Sequence, residues 1–597
     1  MKKPTYIFDI EVFKDYFLVG FRNARTGSTL AIEMHDGHPL DIEMLSKVMS
    51  GGRLVSFNGK RFDAPLVALA LTGATCEELK VAANTIISDN LQPWQFEDRF
   101  PCRVDPTWDH VDLFDVSPGM VSLKIYAGRM HSKRLQDLPI EHDASIDASG
   151  RAQLRDYCLN SDCVATLELL TLLTPQIELR ERMTAEYGID LRSKSDAQIA
   201  EAVIKSQVSR LVKHKVERPI LPPGTTFHYV PPAFISFDTP VLRQALEVIT
   251  STTFSISRSG SVIMPPEIDK LRLKIGSSTY KMGIGGLHST ESCVSHRADD
   301  WTYLIDRDVV SYYPAIILNC ELYPRHLGPV FLDVYRDIVQ RRLAAKKAGD
   351  KVTADALKIT INGTFGKLGS MWSTLYAPDL LIQTTVTGQL SLLMLIEALE
   401  LAGVAIVSAN TDGIVIKCPS SRAPEMDAVV AAWEMGTGFE TEATQYDALF
   451  SRDVNNYIAV KRGGGWKAKG AFSPAGVAKN PTNEICSAAV RALVVDGTPI
   501  EKTIGECDDL RRFVSVRNVN GGCVDQQGNL LGRAARWYYS TQVTGPLQYR
   551  VNGYKVSRSE GGRPLMTMLD KIPDDLDREW YVREAYAILG QIGFDLF

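Results

Sequence analysis

Tyr303-Leu304-Ile305-Asp306-Arg307-Asp308-Val309-Val310-Ser311-Tyr312-Tyr313-Pro314 is the stretch that decides how this chain is read. Its apolar start, Tyr303 to Ile305, has the pattern of a strand, and Asp308 stands at the end of that strand before a second apolar run, Val309 to Leu318. The arrangement recurs further along. Strand-like Val404 to Val407 and Ile414 to Lys417 flank Asn410-Thr411-Asp412-Gly413, a tight turn that carries an acid. Between the two acids, residues 332–365 have helical periodicity interrupted by Gly349-Asp350, the pattern of a helical hairpin. Its second arm holds Lys358-x3-Asn362-Gly363-Thr364-Phe365-Gly366, and its first arm holds Lys346. A period of 3.6 puts Lys358 and Asn362 on one face, where a lysine can meet a phosphate while the amide side chain and a backbone opened by glycines such as Gly363 lie against a base pair. Two aspartates at strand ends are what phosphoryl transfer needs to hold two metal ions between a hydroxyl and a triphosphate.

A second acidic group lies near the start. Asp9 and Glu11 are two apart in the strand-like run Tyr6 to Ile10, so both carboxylates share one face while Phe8 and Ile10 share the other. A strand gains nothing structural from two acids that repel, and a divalent cation would remove the repulsion. Two further stretches carry acids: Asn58-x3-Phe62-Asp63, and Tyr157 to Asp162 inside a polar-then-apolar helix from Ala152 to Leu170. Strand-like and helical runs alternate through residues 1–170 (Tyr6 to Ile10, Tyr16 to Gly20, Ser28 to Glu33, then Pro65 to Leu71), which indicates an α/β domain. Helices are expected from Gln176 to about Lys215, with a break at Pro219, Pro222 and Pro223.

The composition fits a large multidomain protein: 597 residues, 45% of them hydrophobic. Lys and Arg number 66 against 71 Asp and Glu, a formal charge of -5, yet the basic residues come in short runs (Lys124 to Arg134, Lys270 to Lys281, Arg341 to Lys347, Lys461 to Lys469, Arg533 with Arg536). Local basic tracks, not net charge, are what an enzyme moving along a polyanion requires. The ten cysteines form no Cys-x-x-Cys pair, which argues against a zinc ribbon or an iron–sulfur centre. Neither a secretory core nor an uncharged apolar span is read, so export and membrane spanning are not expected.

Asp9, Glu11, Asp63 and Asp162, with Ser122-Leu123-Lys124 and Leu138-Pro139-Ile140, resemble the metal-binding acids and flanking motifs of the DnaQ-like proofreading exonucleases found in family B DNA polymerases. The resemblance implies two Mg²⁺ or Mn²⁺ ions on those acids, Tyr157 orienting the attacking water, and Asn58, Phe62, Ser122 and Leu123 holding a frayed primer end. In that family the tyrosine stands four residues before the last aspartate; here Tyr157 stands five before Asp162.

In order and sequence, the stretches around Asp308, Lys358 and Asp412 are similar to motifs A, B and C of the same family. By that likeness Asp308 and Asp412 bind two further ions, with the Val309 carbonyl as a lesser ligand. Tyr313 lies under the sugar and excludes a 2'-hydroxyl, Lys358 and Lys346 take the triphosphate, and Ser311 and Asn362 complete the nucleotide site. Tyr280 and Gly283-Ile284-Gly285-Gly286 resemble a stretch that approaches the template, and Asn455-Asn456-Tyr457 with Lys467-Ala468-Lys469-Gly470 one that contacts the primer duplex. Where the family has an acid at 410, a lysine at 455, a serine at 363 and a tyrosine at 365, this chain has Asn410, Asn455, Gly363 and Phe365.

The fold this implies is multidomain α/β, a ribonuclease H-like exonuclease joined to a right-hand polymerase with palm, fingers and thumb. The expected domains are an exonuclease over 1–172, a helical connector leading into the palm over 173–300, palm over 301–331 and 376–450, fingers over 332–375, and thumb with tail over 451–597. Primer–template DNA and deoxynucleoside triphosphates are the expected partners of a monomer working in the cytoplasm of a phage-infected bacterium. The last residues, ending in Leu596 and Phe597, resemble a sliding-clamp peptide. An exonuclease alone would leave the rest of the chain without a purpose, and a DNA-packaging protein would need no triphosphate lysines. A protein-primed relative would carry an insertion between motifs A and B; Asp308 and Lys358 are only fifty residues apart, so a nucleic-acid primer is expected.

Overall fold

A computed structural model of the chain describes residues 3–543 and 545–594. Leu596 and Phe597, the residues of the expected clamp peptide, lie outside them. By its contacts the chain divides into two compact units. One comprises Met1–Ser195, Pro474–Ile485 and Gly505–Tyr581; the other comprises Asp196–Ser473, Cys486–Ile504 and Val582–Phe597. Residues 451–597 are thereby distributed over both units, and the helix Cys163–Tyr187 runs through residue 172 without a break.

The first unit is built on a five-stranded sheet in the order Thr29–His35, Tyr16–Asn23, Thr5–Val12, Arg53–Ser56, Asp109–Asp112. The first three strands are antiparallel neighbours, and the last two run parallel to Thr5–Val12. Both faces are covered, which is why the strands are rich in Val, Ile and aromatic residues. Phe8 and Ile10 pack on one side with Phe17, Val19 and the helices Asp63–Ala70 and Cys76–Asp89. Ile7, Tyr16 and Leu18 pack on the other with Leu154, Cys163 and Leu169. Strand alternation therefore sends Asp9 and Glu11 toward the second side.

One run left open becomes a helix, and one expected helix is broken. The run Pro65 to Leu71 is helical over Asp63–Ala70, and every residue of that helix is buried, so its unbroken apolarity carries no period that could tell strand from helix. Pro65 is tolerated there because it falls in the first turn, where the backbone N–H has no helical partner. The expected helix over 152–170 is three pieces: Ala148–Tyr157, a π turn Cys158–Asp162, and Cys163–Tyr187.

The second unit has a ten-stranded sheet whose middle is Thr441–Asp453, Thr302–Val309, Gly413–Pro419 and Ala405–Asn410, each antiparallel to the next. The helix Pro378–Leu401 backs it, its Leu390, Leu393 and Ile396 packing in one core with Ile406, Ile414 and Ile416. This helix is long and apolar enough to cross a membrane by length and composition, but 78% of its most apolar window is buried inside the unit. The expected hairpin is present as Val330–Lys347 and Lys351–Leu368, with Gly349 at positive φ and Asp350 capping the second arm through the Thr353 amide. Gly363 was expected to open the backbone toward a base pair. Instead it faces the helix Asp196–Val212, and a Cβ there would lie 2.7 Å from Ala200 Cβ.

Glu397 is a buried acid within the apolar helix. It accepts from the backbone N–H groups of Asp238 and Thr239, at 3.0 and 2.8 Å, and from the Thr239 hydroxyl at 2.5 Å, so it anchors the residues that lead into the helix Pro240–Ser251. Glu397→Leu raises the apolarity of the helix but strands those donors. It is expected to destabilise the second unit by about 2–4 kcal/mol, read from the urea midpoint of that unit; an unchanged midpoint would remove Glu397 from this role.

Candidate metal centres

In the first unit, ligand atoms of Asp9, Glu11 and Cys158 all lie within 4.8 Å of one another, a group able to coordinate a metal ion. Glu11 is 8% exposed, and its side chain makes no hydrogen bond or ion pair among the described residues. Burial, and then the charge of Asp162, push the Asp9 carboxyl up to about 7. Burial followed by Asp9 and Asp162 holds Glu11 well above the usual carboxylate range, and burial followed by Asp9 does the same to Asp63, which opens its helix against the strand. A cation already leans on the cluster: the Lys124 ammonium pairs with Asp162 and sits 4.3 Å from the centre of the Tyr157 ring.

That double contact puts Tyr157 and Asp162 on the same face, and the π turn explains how. Its bond runs from Cys163 N–H to the Cys158 carbonyl, five residues back. A π turn absorbs one extra residue, so residues five apart across it share a face as residues four apart do in an α-helix. Tyr157 is buried, and its hydroxyl is held well above its usual range by burial and by Asp162.

Two segments flank the acids. Asn58, at positive φ, and Lys60 donate their backbone N–H groups to Asp112 at 2.8 and 2.9 Å, which fixes the loop that leads through half-buried Phe62 into Asp63. Exposed Ser122 caps the helix Leu123–Arg129, with Leu123 half-buried directly before Lys124.

In the second unit, Asp308 lies opposite Gly413 in register, so close that a Cβ on Gly413 would overlap Asp308 Oδ1. The Val309 N–H donates to the Asp412 carbonyl at 2.8 Å, tying the two strand ends, and Thr411 takes a positive φ in the turn. A cavity of about 390 Å³ opens here, lined by Asp306, Asp308, Asp412, half-buried Tyr457, Lys467 and exposed Lys469 among others. Burial raises both Asp308 and Asp412 above the usual carboxylate range. Lys467 donates to Asp306 at 2.9 Å and to Asp308 at 3.4 Å. Burial works against its charge, but Asp306 holds its ammonium well above the ordinary lysine range. Asp306 is buried and also accepts from the Tyr446 hydroxyl.

Distant stretches meet beside this cavity. The Tyr313 ring stacks on Phe365 at 4.1 Å between centroids, and its hydroxyl donates to the Gly285 carbonyl at 2.5 Å. Ser311, at positive φ, accepts from Arg342 at 2.9 Å. Lys358 and Asn362 are both exposed on one face of the hairpin, while Lys346 pairs with Glu442 at 3.4 Å, the residue opposite Asp308 on the other flanking strand. Gly286 lets the chain approach Thr411, where a Cβ would lie 3.0 Å from that side chain. Asn410 donates to the Val454 carbonyl at 2.8 Å and to Asn455 Oδ1 at 3.3 Å, so the two positions that depart from acid and lysine face each other as a neutral amide pair.

Tyr280 requires a correction: its ring is fully buried in the core and offers no surface for a DNA contact. Sequence reading missed Asp306, Tyr446 and Arg342, and it gave Lys467 a duplex contact without its ion pairs to Asp306 and Asp308. Only Asp306 carried a usable signal, being two before Asp308 on the same strand face.

No protein-family model matches the chain, and no curated protein matches it. Its fold is remotely similar to a solved structure, the family B DNA polymerase of the hyperthermophilic archaeon Pyrobaculum calidifontis, with a TM-score of 0.41 and 15% identity over 100% of this chain and 78% of that one.

The raised Asp9 carboxyl gives the first unit a signed pH dependence. Without a cation, the folded state keeps a proton up to about pH 7 that the unfolded chain releases near 3.8, so stability falls as pH rises through that window. In chelator, melting of the first unit is expected at a lower temperature at about pH 8 than at about pH 5, with Mn²⁺ restoring more stability at the higher pH. Asp9→Asn should flatten the dependence; the same slope in that variant would show that other groups cause it.

Proposed function

We propose that the chain is a DNA-directed DNA polymerase with a 3'→5' proofreading exonuclease, the acids of the first unit serving excision and those of the second unit synthesis. The observation that carries this reading is the convergence around Asp308 of stretches far apart in sequence. Asp308 lies against Gly413 of the acid-bearing turn, and Tyr313 is held between Phe365 of the hairpin and Gly285 of the glycine-rich stretch. These are the stretches that resemble motifs A, B and C and the template-contacting glycines of family B polymerases. In the first unit, a sheet of three antiparallel strands followed by two parallel ones supports a ribonuclease H-like domain. In the second, we read palm over 301–331 and 376–450 and fingers over 332–375. The part of 451–597 at Asn456–Lys461 and Trp466–Ala468 extends the palm sheet, ahead of the thumb.

Asp9, Glu11, Asp63 and Asp162 would hold one pair of ions, and Asp308 and Asp412, with the Val309 carbonyl, the other. The fit rests on chemistry: oxygen donors suit Mg²⁺ or Mn²⁺, and Glu11 is a buried carboxylate without a partner among the described residues. Such ions, when bound, neutralise the acids and act as Lewis acids on phosphate oxygens. The residues do the rest. Tyr313, fixed at both ring and hydroxyl, is a rigid wall beneath an incoming sugar and leaves no room for a 2'-hydroxyl. Lys358 and Asn362 present one exposed face to a triphosphate, with Lys346 and Ser311 at its edge. Tyr457 and Lys469 line the cavity where a primer end would lie. In the first unit Tyr157 is placed to orient a water, and Asn58, Phe62, Ser122 and Leu123 to hold the frayed strand. Between Asp308 and Lys358 stand only the helix Tyr312–Asn319 and the hairpin, which favours a nucleic-acid primer over a protein. We place the enzyme in bacteriophage replication within a bacterial cytoplasm, acting as a monomer on primer–template DNA.

Primer extension with Mg²⁺ and four deoxynucleotides tests the division of labour. Asp412→Ala should lose synthesis by on the order of 10³-fold or more, whereas Asp9→Ala should extend matched primers and fail to remove a mismatched 3' end. Normal extension by Asp412→Ala would overturn the palm assignment.

A further inference from the structure

We propose that Cys158 is a thiolate ligand, and that with Asp9 and Glu11 it makes the first unit a binding site for a thiophilic divalent ion of the Zn²⁺ or Cd²⁺ class. The four acids expected from the sequence form an all-oxygen set suited to hard cations. Beside them the structure adds a donor of another kind, a sulfur whose ligand atom and those of Asp9 and Glu11 lie within 4.8 Å of one another.

Three elements place the sulfur there. Cys158 opens the π turn, and its thiol donates to the Asp9 carbonyl at 3.7 Å. In the neighbouring strand Gly20, opposite Asp9, leaves the space the sulfur occupies; a Cβ on Gly20 would lie 2.5 Å from Cys158 Sγ. On the same strand face as Asp9, Glu11 brings a carboxylate that is 8% exposed and whose side chain makes no hydrogen bond or ion pair among the described residues. Ligand atoms on a four-coordinate zinc lie roughly 3.3–3.8 Å apart, given bonds of about 2.0–2.3 Å, so the group closes on an ion by side-chain shifts of about 1 Å. As the sulfur–metal bond forms, the thiol proton leaves to solvent. Two carboxylates and one thiolate around a divalent ion leave a single negative charge, and Lys124, already beside Asp162, stands close enough to offset it. Soft thiolate prefers Zn²⁺ or Cd²⁺ over Mg²⁺. The cavity of the second unit is lined by acids, lysines and tyrosines with no cysteine, so the two centres should differ in metal preference.

Cd²⁺ titration of the full chain, followed by the ultraviolet thiolate-to-cadmium charge-transfer band, tests this. All ten cysteines are free, so Cys293→Ser, which removes an exposed thiol, is the control. The wild type and Cys293→Ser should show one high-affinity site. Cys158→Ser should lose its band, and Glu11→Gln, which keeps every thiol, should bind Cd²⁺ at least tenfold more weakly. An undiminished band in Cys158→Ser, or unchanged affinity in Glu11→Gln, would overturn the proposal. Circular dichroism and melting of each variant separate loss of the site from loss of the fold. Binding does not depend on the proposed exonuclease activity. A second arm does rest on it: Cd²⁺ should suppress mismatch excision at least tenfold more strongly than primer extension. Binding without that selectivity would count against the exonuclease assignment and leave the site standing.

Discussion

Carboxylates of like charge held side by side on buried strands and the turn that joins two of them are the constraint on which both units turn. Two unit charges 4 Å apart repel by about 4 kcal/mol at an effective dielectric near 20, whereas a favourable cross-strand pair is worth about 0.2–1 kcal/mol. Stability alone therefore cannot explain Asp9 beside Glu11, or Asp306 and Asp308 near Asp412. The repulsion shows in the carboxyls of Asp9, Glu11, Asp308 and Asp412, all raised above the usual range with burial as the first cause, and lysines offset part of it, Lys124 on Asp162 and Lys467 between Asp306 and Asp308. In the first unit Asp9, Glu11 and Cys158 form a group able to coordinate a metal ion, which would offset what remains. The surrounding elements read as the means of keeping the acids in place: the Val309–Asp412 backbone bond, Gly413 in contact range of Asp308, and the Asp112 anchor of the Asn58–Lys60 loop.

Much of this was legible because it depends on local periodicity. Alternation in Thr5–Val12 shows in the sequence as acids at 9 and 11 between apolar residues, and the structure keeps Phe8 and Ile10 on the opposite side. The hairpin arms and the turn at 410–413 follow from Gly349-Asp350 and from Asn410 to Gly413, residues whose backbone preferences mark breaks wherever they fall.

What stayed hidden depends on contacts between distant residues or on irregular backbone. The one-residue mismatch between Tyr157 and Asp162 looks like a lost tyrosine until the π turn absorbs it, and Gly20, which makes room for that turn, gives no sign of its role in sequence. Lys467 reads as part of a basic run, yet it reaches back to Asp306 and Asp308 across more than 150 positions. Asn410 and Asn455 appear as two unrelated departures from a motif; in the fold they touch, as two neutral amides. Tyr280 and Gly363 erred in the opposite sense, since a tyrosine and a glycine near a candidate site suggested ligand contact where the fold uses them for packing.

Counting bound Mn²⁺ by the loss of its free-ion electron paramagnetic resonance signal tests the central claim, two carboxylate centres in separate units, most directly. Asp9→Asn with Glu11→Gln should remove one population of sites, Asp308→Asn with Asp412→Asn the other, and all four substitutions together should remove both. If either pair of substitutions abolished all binding, or neither changed it, the account of two independent centres would be contradicted.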